Sequence, residues 1–232
     1  MSTLVLELSG PLQAWGDESR FVRRDTRMLP TKSGVVGLLA AALGRRRIDP
    51  IEDLAGLRFG VRQEQPGELV RDFQTAIDWR TGKAKPLSQR YYVGDAKFLA
   101  FIEGDSTLLE GLAGAIKSPV FPLYLGRRAC PPGTRLVLGI RDGAIEDAIE
   151  REPWRASERY MRTQPRDAML LYSRDAGPDD VSDEMVRDVP VSFDPRNREY
   201  AWRSVVHGWS RVTNSEGVPS DEHDVMQLLG GI

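Results

Sequence analysis

At 232 residues, with 41% hydrophobic and 28% charged residues, the chain has the length and composition of a globular protein with one large or two small cores. Its formal net charge of -2 argues against a free-standing, non-specific nucleic-acid binder, and its lone Cys130 excludes both an intrachain disulfide framework and a cysteine-based zinc cluster. No apolar run is long enough to span a bilayer and MSTLVLELSG lacks the features of a signal peptide, so the expectation is a cytoplasmic protein with no membrane partner.

Thr3 to Leu8, rich in Leu and Val, reads as a buried strand. A polar loop follows, carrying Arg20, Arg23, Arg24 and Arg27. Pro30 then ends the loop, Thr31 or Ser33 caps, and Val35, Leu38, Leu39, Ala42 and Leu43 recur at helical spacing up to Gly44. Between Pro11 and Arg47 eight basic residues stand against three acidic ones, an excess that contrasts with the acidic whole. The arginines lie just upstream of Lys32, Ser33 and a helix N-terminus, where orphan amide donors and the dipole favour an anion, so a phosphate-facing surface is expected there.

Leu57 to Arg62 alternates as a short strand, Gln63 to Gly67 breaks the pattern, and Glu68 to Ala76 resumes it. Thr81-Gly82 marks the tip of a long hairpin whose return limb carries Gln89, Arg90, Tyr91 and Tyr92. Lys97 to Ile102 reads as a strand, Asp105 to Ile116 as a helix and Val120 to Leu125 as a further strand, with Pro122 at an edge or bulge. Strand, helix, strand, hairpin, strand, helix, strand is the order of an α+β, ferredoxin-like (RRM-like) core with an inserted arm. Arg135 to Ile140 reads as a strand, Ala144 to Glu150 as a helix, and the remainder as strands separated by Pro, Gly and Asp turns. The expected division is a domain over 1–140, with the hairpin at about 68–93, and a smaller β-rich C-terminal lobe over 141–232.

Charge is segregated along the chain. Arg141 to Glu152 holds five acids against two arginines, and Asp175 to Asp188 six acids against Arg187 alone. These are either faces for protein neighbours or solvated loops.

Several chemistries are excluded by spacing. A phosphate-binding loop ahead of Lys32-Ser33 requires glycine at positions held by Thr31 and Thr26, and no dinucleotide fingerprint follows the first strand, so no cofactor is expected. The histidines, His207 and His223, lie far from the basic stretch, and the acidic runs lack ligand spacing, so neither a catalytic residue nor a metal site is assigned. Binding of unpaired nucleotides needs cations for phosphates and flat side chains for bases. Gln13, Trp15, Arg20, Arg90, Tyr91 and Tyr92 offer that mixture, with packing as the alternative role for Trp15 and Tyr91. Arg45 belongs to the same basic stretch, and Arg127 and Arg128 are either a third basic point or partners of the acidic loops.

Taken together, GPLQAWG after the opening strand, the arginine loop, RMLPTKSGVVGLLAAALG, RYYVGDAKFLAFIEGD and FPLYLGRRACPP resemble the CasD family of type I-E CRISPR Cascade subunits. They run in family order through the first 132 residues, with VRDVPVSFDPRNREYAWRSV as a looser likeness beyond. The resemblance implies a repeat-associated RNA-binding fold with a protruding thumb, a non-catalytic crRNA-binding role at the 5′ handle, and partners CasC in the backbone and CasA as the large subunit. Target DNA would be met only through the complex. It places Gln13 through Arg27 and Lys32-Ser33 along the handle. Because a related subunit of another subtype cuts RNA, metal-independent cleavage of repeat RNA stands as the alternative activity, and a general protein-interaction module as a third reading.

Overall fold

The computed structural model describes residues 1–16, 23–133 and 135–218. Its elements run β1 (Ser2–Ser9), β2 (Leu12–Gln13), β3 (Arg23–Arg24), α1 (Lys32–Ala42), α2 (Glu52–Ala55), β4 (Arg58–Gln65), β5 (Glu68–Gln74) and β6 (Ser88–Gly94). Then follow β7 (Lys97–Gly104), α3 (Ser106–Lys117), β8 (Val137–Asp142), α4 (Ile145–Arg151), α5 (Glu158–Met161), β9 (Asp167–Asp175), β10 (Glu184–Ser192) and β11 (Glu199–Thr213).

β1 is buried on both faces because it lies between β7 and β8 with helices packed on either side, Leu4, Leu6 and Leu8 filling one face and Val5, beside Thr3, the other. Leu4, Leu6 and Leu8 join the core under α1 and α3, whereas Val5 packs with Leu99 and Phe101 against Ile145 and Ile149 of α4 on the opposite side. It pairs antiparallel with β7 along its length and with β8 on its other edge. The sheet runs β10-β11-β9-β4-β7-β1-β8, with every neighbouring pair antiparallel.

Local signals explain the helices. Thr31 accepts the Gly34 amide at the start of α1, and Gly44 beyond its end has φ +76, a conformation that favours glycine. Asp105 accepts the Thr107 and Leu108 amides at the start of α3, whose Leu109, Leu112, Ala113 and Ile116 face the core.

A second sheet has β6 at its centre, with β2 and β3 on one side and β5 on the other. Beyond it, β5 and β6 continue as a hairpin closed by an Ile77–Ala84 bridge. At its tip the Asp78 amide donates to the Lys83 carbonyl (2.9 Å), and Gly82 has φ +65. Phe73, Ile77 and Trp79 are exposed along this arm, Trp79 at 84%.

Two expectations are corrected. β4 does not break at Gln63 but runs to Gln65, where the Gln65 side chain donates to the Asp95 carbonyl (2.8 Å). Val120 to Leu125 is not a strand. The Val120 and Phe121 amides instead cap the last carbonyls of α1 at Ala42 and Ala41, and Pro122 has no amide to offer a ladder. The C-terminal strands continue the same sheet. β9 pairs with β4 through Gly60↔Arg174, Val61↔Ser173 and Arg62↔Tyr172, so β9, β11 and β10 extend the sheet begun by β1.

Candidate nucleic-acid interface

The arginine loop is closed on itself by one contact and tied to the base of the arm by two. Its ends meet at a Trp15–Arg27 bridge, where the Arg27 amide donates to the Trp15 carbonyl (2.9 Å) and the Trp15 amide to the Thr26 hydroxyl (2.8 Å). Arg23 and Arg24 form β3, parallel to Gln89 and Arg90 of β6. Arg127 then clamps the pair. One of its terminal nitrogens donates to the Tyr91 carbonyl (2.9 Å), the other to the carbonyls of Arg24 (2.8 Å) and Asp25 (3.0 Å), and its guanidinium lies 5.0 Å from the Tyr92 ring centroid.

Gly126 sets this geometry. It has φ +88, and a Cβ there would lie 1.7 Å from the Ala14 carbonyl oxygen, so only glycine lets the chain pass that close before delivering Arg127. Arg127 therefore spends its donors on backbone carbonyls and not on the acidic loops.

The strand alternation of β6 sorts the neighbours onto two faces. Tyr91 shares one face with its register partner Arg71 and with Arg23, whose guanidinium lies 5.4 Å from the Tyr91 ring and donates to Asp25 (2.9 Å). Phe73, two residues beyond Arg71, shows on that face as well. The other face carries Arg24 opposite Arg90, with buried Tyr92 next along the strand. Arg24 and Arg128 are exposed and Arg90 is half-buried. Neither Arg71 nor Phe73 stood out in the sequence; extending the alternation of the ELVRDFQ segment against RYY would have placed them beside Tyr91.

Other expected contacts are turned inward. Gln13 is fully buried, donating to the carbonyls of Leu8 (3.1 Å) and Ala96 (2.8 Å) and accepting from the Trp15 indole (3.1 Å). Trp15 is also fully buried, and its ring lies where a Cβ on Gly34 would stand, 2.8 Å away, so it packs on α1 instead of stacking on a base. Ser33 is buried beside Thr31 (3.4 Å between hydroxyls), and Tyr92 is buried under Arg127. Arg45 is held to Asp53 through both terminal nitrogens and to the Pro50 carbonyl, at the far end of α1 from β3. Arg27 lies 3.7 Å from Glu184. Arg20 lies outside the described residues.

The helix N-terminus is the largest correction. The anion that meets it is the chain's own Asp188, whose carboxylate accepts the Lys32 amide (2.8 Å). The Lys32 ammonium is buried and paired with Asp175 (2.9 Å), and Arg203 donates to both Asp188 (2.6 and 3.0 Å) and Asp175 (2.7 Å). Asp175 also accepts the Phe59 amide (3.0 Å), and the Arg203 guanidinium lies 5.3 Å from the Phe59 ring. Two cations and two carboxylates neutralise each other there, and the Lys32 amide and ammonium are both engaged within the chain.

His207 faces Glu184 (3.2 Å) on the β10–β11 pair. Among the described residues no group of three or more His, Cys, Asp or Glu converges as metal ligands would.

Residues 3–206 match the CRISPR-associated protein Cas5 family. The chain belongs to that family. Among Cas5 relatives, it is 35% identical over 161 residues to the CRISPR system Cascade subunit CasD of Escherichia coli (strain K12), covering 60% of this chain and 70% of that one. It is also similar to a solved Cas protein at 38% identity, with a TM-score of 0.70 and coverage of 94% of this chain and 97% of that one. A chain of a CRISPR RNA-guided surveillance complex aligns at 28% identity and a TM-score of 0.74, over 98% of both. The antiparallel sheet with helices on its faces is thus a fold shared with Cas proteins, and the likeness to CasD read from the motifs holds in sequence over 161 residues.

Proposed function

We propose that this Cas5 protein is the CasD-type subunit of a type I-E Cascade complex, a non-catalytic subunit that holds the 5′ handle of the crRNA at the base of the arm. It would cap one end of the CasC backbone beside CasA, meeting target DNA only through the assembly. The observation that carries the reading is the exposed arginine pair of β3, laid in register on β6 and clamped there by Arg127, in a chain of net charge -2. Cations concentrated on one sheet edge of an otherwise acidic protein suit a polyanion held at one place.

The fold is consistent with this role. β1, α1, β4, β7, α3 and β8 give the sheet order β4-β7-β1-β8 with α1 and α3 on one face, which we read as a ferredoxin-like core. The arm over residues 68–93 is the thumb in this reading. No helix among the described residues is long and apolar enough to cross a membrane, and we place the assembly in the cytoplasm.

The test measures affinity of the chain, with its CasC neighbour present, for crRNA carrying the native handle and for a scrambled handle, across a salt series. A preference for the native handle that persists as salt rises supports the reading. Equal, salt-labile binding overturns it. Incubation of the chain with repeat RNA in the absence of metal should leave the RNA intact, and cleavage would overturn the non-catalytic part.

A further inference from the structure

On the face of the arm base away from Tyr91, two arginines are arranged in a way the fold alone does not explain. Arg24 and Arg90 are direct register partners on adjacent strands, so their side chains leave the same face side by side. Like charges placed opposite one another across strands repel. The Arg90 Nε is buried and has no hydrogen-bond partner, a rare condition for a charged donor. Among the described residues no carboxylate pairs with either guanidinium. Asp72, the register partner of Arg90 on β5, accepts instead from the Phe73 amide (2.8 Å) and the Gln74 side chain (3.4 Å), and Asp25 is taken by Arg23. Arg127, over Tyr92 two residues along from Arg90, adds a third cation whose side-chain hydrogen bonds among the described residues go to carbonyls.

Resting on the RNA-binding reading above, we infer that Arg24 and Arg90 together grip a single phosphodiester of the bound RNA. A phosphodiester offers two non-bridging oxygens and one negative charge. Binding rotates the Arg90 side chain so that its Nε, closed to solvent in the free chain, comes to the surface with a terminal nitrogen and the two meet one oxygen in a fork, while the other oxygen takes Arg24, which cancels both the repulsion and the unmet donor. Arg127, locked to the backbone, contributes field and holds β3 at the required register. The grip is for one phosphate and not for a track. The next register position pairs Arg23 with Gln89, and alternation turns both to the opposite face.

The test uses the full chain with its CasC neighbour and a handle-bearing crRNA in which each linkage in turn is made a neutral methylphosphonate. In the wild type one linkage should lose about tenfold or more in affinity when neutralised, the scale of a bidentate arginine contact. In the double variant Arg24→Gln/Arg90→Gln that penalty should vanish at that linkage alone, with the salt slope lowered by about 0.7, the value for one phosphate on a single strand. Arg90→Lys keeps the charge without the fork and should lose most of the same contact while unfolding at the same midpoint. Unchanged slope and an unchanged penalty pattern in the double variant overturn the grip.

Inorganic phosphate separates the two ideas. The Arg90 Nε resonance of the full chain should move on phosphate titration and stay still in Arg24→Gln. A wild type that shows no handle preference yet moves that resonance defeats the RNA reading and leaves an anion site. A motionless resonance in a chain that prefers the handle defeats the grip alone.

Discussion

Replacing Asp188 tests whether the N-terminus of α1 is satisfied from within. The carboxylate accepts three hydrogen bonds, from the Lys32 amide and twice from Arg203, and the side chains of Asp188, Lys32, Arg203 and Asp175 are each at most 13% exposed. In Asp188→Ala two cations share one carboxylate in a dry setting, and a helix amide loses its acceptor. Removing one partner of a buried charge pair costs about 3–5 kcal/mol, and a lost helix cap about 1 kcal/mol, part of the same loss here. Asp188→Asn keeps an oxygen for the Lys32 amide but loses the charge, so a loss of about 2–3 kcal/mol is expected. Against a typical stability of about 5–15 kcal/mol, either change is large. Urea unfolding followed by tryptophan fluorescence reads both. Because the network is buried, raising salt should not restore the loss, whereas adding Arg203→Met to Asp188→Asn should recover part of it by removing the stranded cation. A loss below about 1 kcal/mol in Asp188→Ala would refute the reasoning and reopen α1 to an external anion.

Arg127→Ala should free β3 from β6, seen as faster amide exchange at Asp25 and Arg27 and about tenfold weaker handle binding, with Arg127→Lys failing to rescue because one ammonium does not span three carbonyls. Equal exchange in the variant would contradict the clamp. Gly126→Ala drives a Cβ into the Ala14 carbonyl and should lower stability by about 2 kcal/mol or more, measured as a shifted urea midpoint. Asp180 is held at about 2 by hydrogen bonds from Arg174 and by the Gly177 amide, below the unfolded value of about 3.9. Its stabilising contribution is therefore complete above pH 4–5 and is lost as pH falls toward 2. The stability gap between wild type and Asp180→Asn should close over that window; a gap independent of pH would count against the pairing.

What the sequence alone determined is local. The Thr31 and Asp105 caps, the glycine at the hairpin tip and the alternation of β1, β5 and β6 depend on residues within a few positions of each other, and their spacing on the chain is their spacing in space. Arg23, Arg24 and Arg128 are exposed and Arg90 is half-buried, a placement that follows from the charge each residue carries.

The destinations of side chains were decided by tertiary structure. Gln13 and Trp15 looked available in a polar loop, yet they close onto Leu8, Ala96 and α1. Lys32 looked like a phosphate ligand until Asp188, 156 residues later, arrived at the helix start on β10. The C-terminal strands joined the sheet begun by β1 because the free edge of β4 accepts β9. A charge or a strand edge in a sequence states a demand for a partner. Only the fold shows whether that demand is met inside the chain, and among the described residues the facing Arg24 and Arg90 are where no carboxylate meets it.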